Sequence, residues 1–139
     1  MPNAMVCAFL KIVNLIPLAM KDYRNLVVWE KAHKLVMCIY KITKAFPKEE
    51  QYALTNQIRR AAMSAPTNIA EGCGKLTQAD FARYLQQALG SIQEVQYLSF
   101  LSFELNYIDQ NVYSVLDNDI NQLKAMLINL IKKVRKVKE

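Results

Sequence analysis

Apolar residues recur every three or four positions in four separate stretches of the chain, which is the spacing of one face of an α-helix. The first stretch covers about residues 26–46 and stops before Pro47. The second begins beside the two glutamates that follow this proline and stops near residues 72–74. Its apolar pattern continues beyond Pro66, so we expect this proline to kink the helix rather than end it.

Polar capping signals precede the other two helices. Thr77 with Asp80 resembles a capping box and begins a third helix that reaches about residue 106. Asp109 caps a fourth helix, whose apolar residues alternate by four and three: Leu116, Ile120, Leu123, Leu127, Leu130, Val134 and Val137. Because short connections make neighbouring helices antiparallel, the pattern predicts an all-α fold, an antiparallel up-down-up-down four-helix bundle.

The third helix carries more apolar surface than one core needs. Beyond its core face, Phe100, Phe103 and Tyr107 form a second stripe at i, i+3 and i+7. One interpretation is a wide core face covered by the N-terminal residues. We favour the other, a subunit interface. Gly90 on the same helix would allow another helix to approach closely.

Composition separates the chain into two parts. Residues 21–139 are the predicted four-helix bundle domain, whereas residues 1–20 are apolar but interrupted by polar residues and a proline, too short and too broken to span a membrane. We interpret this extension as an upstream addition to the reading frame, with Met20 as the natural start. The alternative is an apolar arm that packs on a partner. Three scattered cysteines suggest reduced thiols and a cytoplasmic location.

Positive charge concentrates on the first and fourth predicted helices. The net charge is +6, yet residues 49–123 carry four basic and nine acidic side chains, so the positive excess lies in the flanking segments. On the first helix the lysines fall within an arc of roughly 140° opposite the apolar face. Such a row is the electrostatic footprint of phosphate-backbone binding. The candidate nucleic-acid-binding residues are Lys31, Lys34, Lys41, Lys44, Lys48, Lys124, Lys132, Lys133, Arg135 and Lys136.

The same charge distribution has two alternative interpretations. A lysine row can simply be a solvated helix face. Alternatively, the basic helices of one subunit face the acidic second and third helices of the next, and such head-to-tail contacts close into a ring if the angle between subunits allows it. Assembly and nucleic-acid binding are compatible if assembly uses only part of the positive charge.

The sequence predicts neither an enzyme nor a cofactor. Glu30 and His33 have the Glu-x-x-His spacing of di-iron bundles, but that site needs two such motifs and this chain has a single histidine. We therefore expect His33 to be a surface or interface residue. Residues 72–74 read Gly-Cys-Gly, which lacks the spacing of a phosphate-binding loop, and no Cys-x-x-Cys pair offers a zinc site.

Several short motifs, in their order along residues 23–134, resemble those of a known four-helix-bundle family. This family includes proteins encoded by intervening sequences in bacterial large-subunit ribosomal RNA genes and the accessory variability proteins of diversity-generating retroelements. The matching segments are Leu26-Val27-Val28-Trp29-Glu30-Lys31-Ala32, Phe46-Pro47, Gln57-Ile58-Arg59-Arg60-Ala61, Asn68-Ile69-Ala70-Glu71-Gly72, Phe81, Leu85, and Ala88-Leu89-Gly90-Ser91 with Glu94.

The resemblance implies a barrel-shaped homopentamer of antiparallel four-helix protomers. For the retroelement members it implies a basic scaffold that binds nucleic acid and a reverse transcriptase, and it offers no catalytic residues. It also implies packing or ion-pair roles for Arg59 and Arg60. Together with Phe100, Phe103 and Tyr107, these two arginines are the candidate oligomer-interface residues.

We predict a non-enzymatic, homo-oligomeric scaffold that binds RNA or an RNA/DNA hybrid through its positive charge, in the manner of a reverse transcriptase accessory protein. The alternative is a protein-interaction adaptor whose charge asymmetry serves ring assembly without nucleic-acid binding. The sequence does not separate the two subfamilies. Expected partners are other copies of the chain, nucleic acid and a reverse transcriptase, with no membrane.

Overall fold

Residues 22–137 are described by the computed structural model, and they form four α-helices. These are α1 (Val27–Thr43), α2 (Leu54–Cys73), α3 (Gln78–Glu104) and α4 (Gln110–Arg135). Short 3-10 turns at Tyr23–Asn25 and Lys48–Glu50 precede α1 and α2. This part of the chain contains no β-strand, which confirms the all-α prediction for it, and none of its helices is long and apolar enough to cross a membrane. The predicted extension, residues 1–20, lies outside the described residues.

Two side-chain caps form where the sequence predicts them. The Thr77 hydroxyl accepts a hydrogen bond from the Asp80 amide (3.1 Å) at the start of α3. The Asp109 carboxylate accepts one from the Val112 amide (2.8 Å) at the start of α4. Each cap satisfies one of the amides that the first turn of a helix leaves without an intrahelical partner.

The connection between α1 and α2 is longer than predicted. α1 ends at Thr43 rather than at residue 46, because the amides of Ala45 and Phe46 donate to carbonyls three residues earlier, in turns tighter than an α-helix. α2 begins at Leu54, whose amide donates a hydrogen bond to a carboxylate oxygen of Glu50 (3.1 Å). Glu50 therefore supports the start of α2, as its charge predicts, but from one turn outside the helix.

The end of α3 is closed by the backbone of the following loop. α3 ends at Glu104, slightly before the predicted residue 106. Asn106 adopts a left-handed conformation with φ 63°, and the Tyr107 amide donates to the Ser102 carbonyl (2.9 Å). Asparagine tolerates this conformation better than most residues, so the chain reverses direction here without a glycine.

All four helices contribute to one hydrophobic core, an arrangement consistent with a four-helix bundle. Its fully buried side chains include Ile39 of α1, Ile69 of α2, Ile92 of α3 and Leu127 of α4. α2 continues through Pro66, itself buried, as the unbroken apolar pattern predicts.

The buried face of α4 departs from the predicted heptad pattern near the end of the helix. Ile131 and Val134 are buried, whereas Leu130 is half-buried and Val137 is 41% exposed. A straight α-helix has 3.6 residues per turn, so strict alternation by four and three drifts off the core face over several turns. Val137 lies beyond the end of α4 at Arg135, so the prediction that it packs with the apolar residues of this helix is wrong.

The helices do not pack equally closely. A Cβ atom on Gly72 of α2 would lie 2.9 Å from the Cβ atom of Tyr84 on α3, and the hydroxyls of Ser64 and Ser91 are 2.8 Å apart across the same two helices. α1 and α4 make fewer contacts, and a groove remains between them. The predicted nucleic-acid-binding residues lie on these two loosely packed helices and in the residues that follow each of them.

Candidate nucleic-acid interface

The lysines predicted as phosphate ligands on α1 and directly after it are all exposed: Lys31, Lys34, Lys41, Lys44 and Lys48. The apolar residues of α1 occupy its opposite face, which is buried in the core. Lys34 makes an ion pair with Glu30 one turn earlier (Nζ to carboxylate oxygen 3.1 Å). The other four lysines form no ion pair within residues 22–137. Their charge is available to an external anion.

α4 and the residue after it carry the other five candidate cations. The exposed ones are Lys132, Lys133, Arg135 and Lys136. Lys124 is half-buried and donates to the side-chain oxygen of Gln96 (2.8 Å), while Arg135 donates to that of Gln86 (2.6 Å). These amide partners on α3 are neutral, so both side chains keep their positive charge unbalanced. We call the ten cations of α1, α4 and their ends the basic surface.

The groove between α1 and α4 opens within the basic surface. It consists of two hollows of about 250 and 390 Å³ that share Cys38, Leu116 and Asp119. Lys31 and Lys34 line the first hollow. The carboxylate of Asp119 thus lies among the lysines, and a phosphate is bound less favourably there than at the ends of the surface.

Cys38 in this groove is not set up for covalent chemistry. Although Cys38 is exposed, partial loss of solvent in the groove raises the pKa of its thiol, the negative charge of Asp119 raises it further, and Lys41 acts in the opposite direction. The thiolate is the nucleophilic form of cysteine, so this environment keeps the side chain protonated and weakly reactive at neutral pH.

The cations of the basic surface are spread along the length of the two helices. Ile42 and Val112 line the same hollow, which puts the end of α1 beside the start of α4. Lys133 lies about 30 Å farther along α4, at 1.5 Å per residue. Lys44 and Lys48, at the end of α1, are therefore far from the cations at the end of α4. The arrangement is suited to an extended polyanion rather than to one small anion.

Four of the five predicted oligomer-interface residues have partners inside the chain. Arg59 donates through Nε to the Thr43 hydroxyl (2.8 Å), the Phe103 ring stacks on Tyr113 with centroids 4.8 Å apart, and Tyr107 donates to a Glu50 carboxylate oxygen (3.1 Å). The Phe100 ring is 43% exposed, and its centroid lies 6.2 Å from that of the Tyr113 ring. The remaining residue, Arg60, is exposed. The subunit interface remains a prediction.

An aromatic row at the start of α1 was not predicted from the sequence. It consists of Tyr23, Trp29 and His33, with ring centroids 4.9 Å apart for the first pair and 5.2 Å for the second. His33 is exposed, as predicted. The spacing of four between Trp29 and His33 would have revealed the second pair, because residues four apart are neighbours on one helix face.

No metal centre forms in the part of the chain that the structure describes. Within residues 22–137, no three histidine, cysteine, aspartate or glutamate side chains come together in a way that could hold a metal ion. His33 instead stacks on Trp29 with the ring planes 4° apart.

Comparison with known proteins identifies the family. A crystal structure of a protein of unknown function from the S23 ribosomal protein family of Bacteroides thetaiotaomicron is similar, with a TM-score of 0.71 and 28% sequence identity. The match covers 76% of this chain and 99% of that one. No curated protein matches the chain significantly. The family model described as 23S rRNA-intervening sequence protein matches residues 24–129. The chain therefore belongs to the 23S rRNA-intervening sequence protein family.

Proposed function

We propose that this protein is a non-enzymatic, homo-oligomeric scaffold that binds RNA or an RNA/DNA hybrid through the basic surface. One observation carries the proposal: of the ten cations, only Lys34 has a carboxylate partner within residues 22–137. Unpaired surface cations displace the counterions of a phosphate backbone, and this release favours binding whatever the base sequence.

We further propose that the four helices run antiparallel in up-down-up-down order. Cross-helix hydrogen bonds support this order, because rising residue numbers on one helix pair with falling numbers on the next. Gln86 and Gln96 of α3 bond to Arg135 and Lys124 of α4, respectively. In this order α1 and α4 are neighbours, so the cations of the basic surface lie on two adjacent helices, with Lys124 and Arg135 at the edge of α4 that meets α3.

The homo-oligomer in this proposal is a ring, with five members as the resemblance implies. Support comes from the charge distribution, since residues 49–123 carry nine acidic and four basic side chains and can face the basic helices of the next copy. A net charge of +6 per subunit gives roughly +30 in a pentamer, which attracts nucleic acid over a long range. The proposed partners are therefore other copies of the chain and nucleic acid, and the resemblance to the retroelement members adds a reverse transcriptase.

Salt-dependent binding tests the nucleic-acid role. We expect the affinity for a structured RNA and for an RNA/DNA hybrid to fall steeply as salt rises. Lys41→Ala with Lys44→Ala should lower the slope of log affinity against log salt by roughly 1.5–2, and equally for different base sequences.

The matched control removes two positive charges outside the basic surface. Lys75 packs on the Tyr84 ring (4.8 Å), and Arg83 makes an ion pair with Asp80 (3.3 Å). Lys75→Ala with Arg83→Ala should leave the salt slope unchanged. Equal losses in the two double variants, or binding that is insensitive to salt, would refute the role of the basic surface.

A protein-interaction adaptor is the second candidate, and the position of Asp119 favours it. A carboxylate in the hollow that Lys31 and Lys34 also line weakens phosphate binding there, but it suits a protein segment that carries both positive and negative charges. Light scattering on a size-exclusion column, with and without RNA at low and high salt, separates the two candidates. A ring that does not bind RNA at any salt concentration would favour the adaptor.

A further inference from the structure

The aromatic row of Tyr23, Trp29 and His33 is held in place from its inner side. Trp29 is half-buried against the core, and Tyr23 meets it edge-on with an interplanar angle of 62°. The turn that carries Tyr23 is fixed by Asp22, whose carboxylate accepts hydrogen bonds from the amide and the guanidinium of Arg24 (2.8–3.0 Å). The row is therefore already ordered before any ligand arrives.

The outer end of the row is accessible. His33 lies almost parallel to Trp29, with a 4° angle between the planes, and its side chain is exposed. No other ring of residues 22–137 stacks on His33. One face of the imidazole is thus free to receive another flat group, at low entropic cost because the stack beneath it is fixed.

Cations of the basic surface continue along the same exposed side of α1. One turn beyond His33 lies Met37, an apolar side chain that is 61% exposed, and then come the exposed and unpaired Lys41 and Lys44. From His33 to Lys44 the helix rises about 16 Å. A fixed flat ring, an exposed thioether and two cations follow one another on one face.

From this juxtaposition we infer that the Trp29–His33 stack is a platform for an unpaired nucleobase, so that the protein prefers single-stranded nucleic acid to a duplex. The inference rests on the proposed function, because Lys41 and Lys44 hold the backbone of the same strand. Aromatic platforms beside a cationic track are the means by which proteins bind single strands without reading their sequence. The bases of a duplex are stacked on each other and cannot reach the imidazole.

The test compares three probes of equal length: a single-stranded oligouridine, an abasic oligonucleotide that keeps the phosphates, and a duplex. Trp29 is the only tryptophan of the chain, so its fluorescence reports directly on the platform. We expect the oligouridine to quench this fluorescence and to bind at least about fivefold tighter than the abasic strand. His33→Ala should abolish that preference, whereas His33→Phe, which keeps a flat ring, should retain it.

Tyr97→Ala is the matched control, because it removes an exposed ring (60% exposed) from α3 rather than from α1. It should leave the preference unchanged. Equal binding of all three probes would overturn the platform and leave the proposed function standing, while failure of every probe at low salt would overturn both. A change of oligomeric state in His33→Ala, with the probe preference intact, would assign the stack to a subunit contact and overturn the inference.

Discussion

The Tyr107 hydroxyl donates a hydrogen bond to a carboxylate oxygen of Glu50 across 3.1 Å, although the two residues are 57 positions apart. The other oxygen of Glu50 accepts from the Leu54 amide at the start of α2. The Tyr107 ring also packs against Phe46, with centroids 5.3 Å apart. One carboxylate thus joins the beginning of α2 to the loop after α3.

This contact predicts a loss of stability at alkaline pH. Burial, followed by the hydrogen bond to Glu50, raises the pKa of Tyr107 above its ordinary value. As pH rises past about 10, the unfolded chain therefore releases this proton before the folded chain does, and stability falls. We expect Tyr107→Phe to be less stable than the wild type at pH 8 and to lose less stability between pH 8 and pH 11, as measured by urea unfolding.

Tyr52→Phe is the control for this prediction, since its side chain is 87% exposed. It should match the wild type at both pH values. Glu50→Gln should lower stability at pH 8, because it removes the charge from beside the start of α2. Parallel pH profiles for the wild type and Tyr107→Phe would contradict the assigned role of the phenol.

Substitution by alanine is expected to have opposite effects on stability at Gly72 and at Gly90. A Cβ on Gly72 would meet the Tyr84 Cβ at 2.9 Å and a Phe81 ring carbon at 3.1 Å, whereas a Cβ on Gly90 would meet nothing within 4 Å. The Tyr84 Cβ is fixed to the backbone and cannot move aside. We expect Gly72→Ala to destabilise by about 1–3 kcal/mol and Gly90→Ala to stabilise by about 0.5–1 kcal/mol.

Urea unfolding at neutral pH measures both glycine variants under one set of conditions. Each variant serves as the control for the other, since both add the same methyl group inside a helix. A destabilised Gly90→Ala would show that another surface, such as a second subunit, packs on that position. Equal effects of the two substitutions would contradict the close approach of α2 and α3.

The sequence was sufficient for the local features of the fold and insufficient for the contacts between helices. Thr77 and Asp109 cap the predicted helices because a cap depends on residues within one turn. The partners of Phe103 and Tyr107 depend instead on how distant segments pack, which periodicity does not contain. Sequence reasoning therefore favoured a subunit interface for this stripe and did not predict the intrachain contacts that Phe103 and Tyr107 make.

In the candidate site, too, the local features could be predicted from the sequence and the contacts between helices could not. Exposure of the α1 lysines follows from the helical period and was predicted correctly. The groove that brings Asp119 among them was not predicted, because it arises from the separation between α1 and α4. The face of a helix on which a charged residue lies follows from the local sequence. Its neighbours on another helix depend on the tertiary packing.

Arg59 and Thr43 form a coupled pair between α2 and α1. The guanidinium donates to the Thr43 hydroxyl (2.8 Å) and lies 4.6 Å from the centre of the Tyr40 ring. Thr43 is only 3% exposed, so Thr43→Val leaves the guanidinium without this acceptor in a partly buried place. We expect Thr43→Val to cost about 1–3 kcal/mol in the free energy of unfolding.

A double-mutant cycle with Arg59→Met isolates the pair. The coupling free energy should be about 1 kcal/mol, because each single change already removes the shared hydrogen bond. Arg60→Met is the control, since Arg60 is the exposed neighbour and should combine additively with Thr43→Val. A coupling of zero would mean that the arginine is held by Tyr40, through its ring and its backbone carbonyl, rather than by Thr43.

The end of α4 tests which of two adjacent apolar residues belongs to the core. The heptad pattern selects Leu130, whereas in the structure Ile131 is 5% exposed and Leu130 is half-buried. Removing a buried isoleucine side chain leaves a cavity, so Ile131→Ala should cost about 2–4 kcal/mol. Leu130→Ala should cost clearly less, and Val137→Ala should change stability by no more than about 0.5 kcal/mol. If Leu130→Ala proves the costlier change in urea unfolding, the assignment of Ile131 rather than Leu130 to the core would be contradicted.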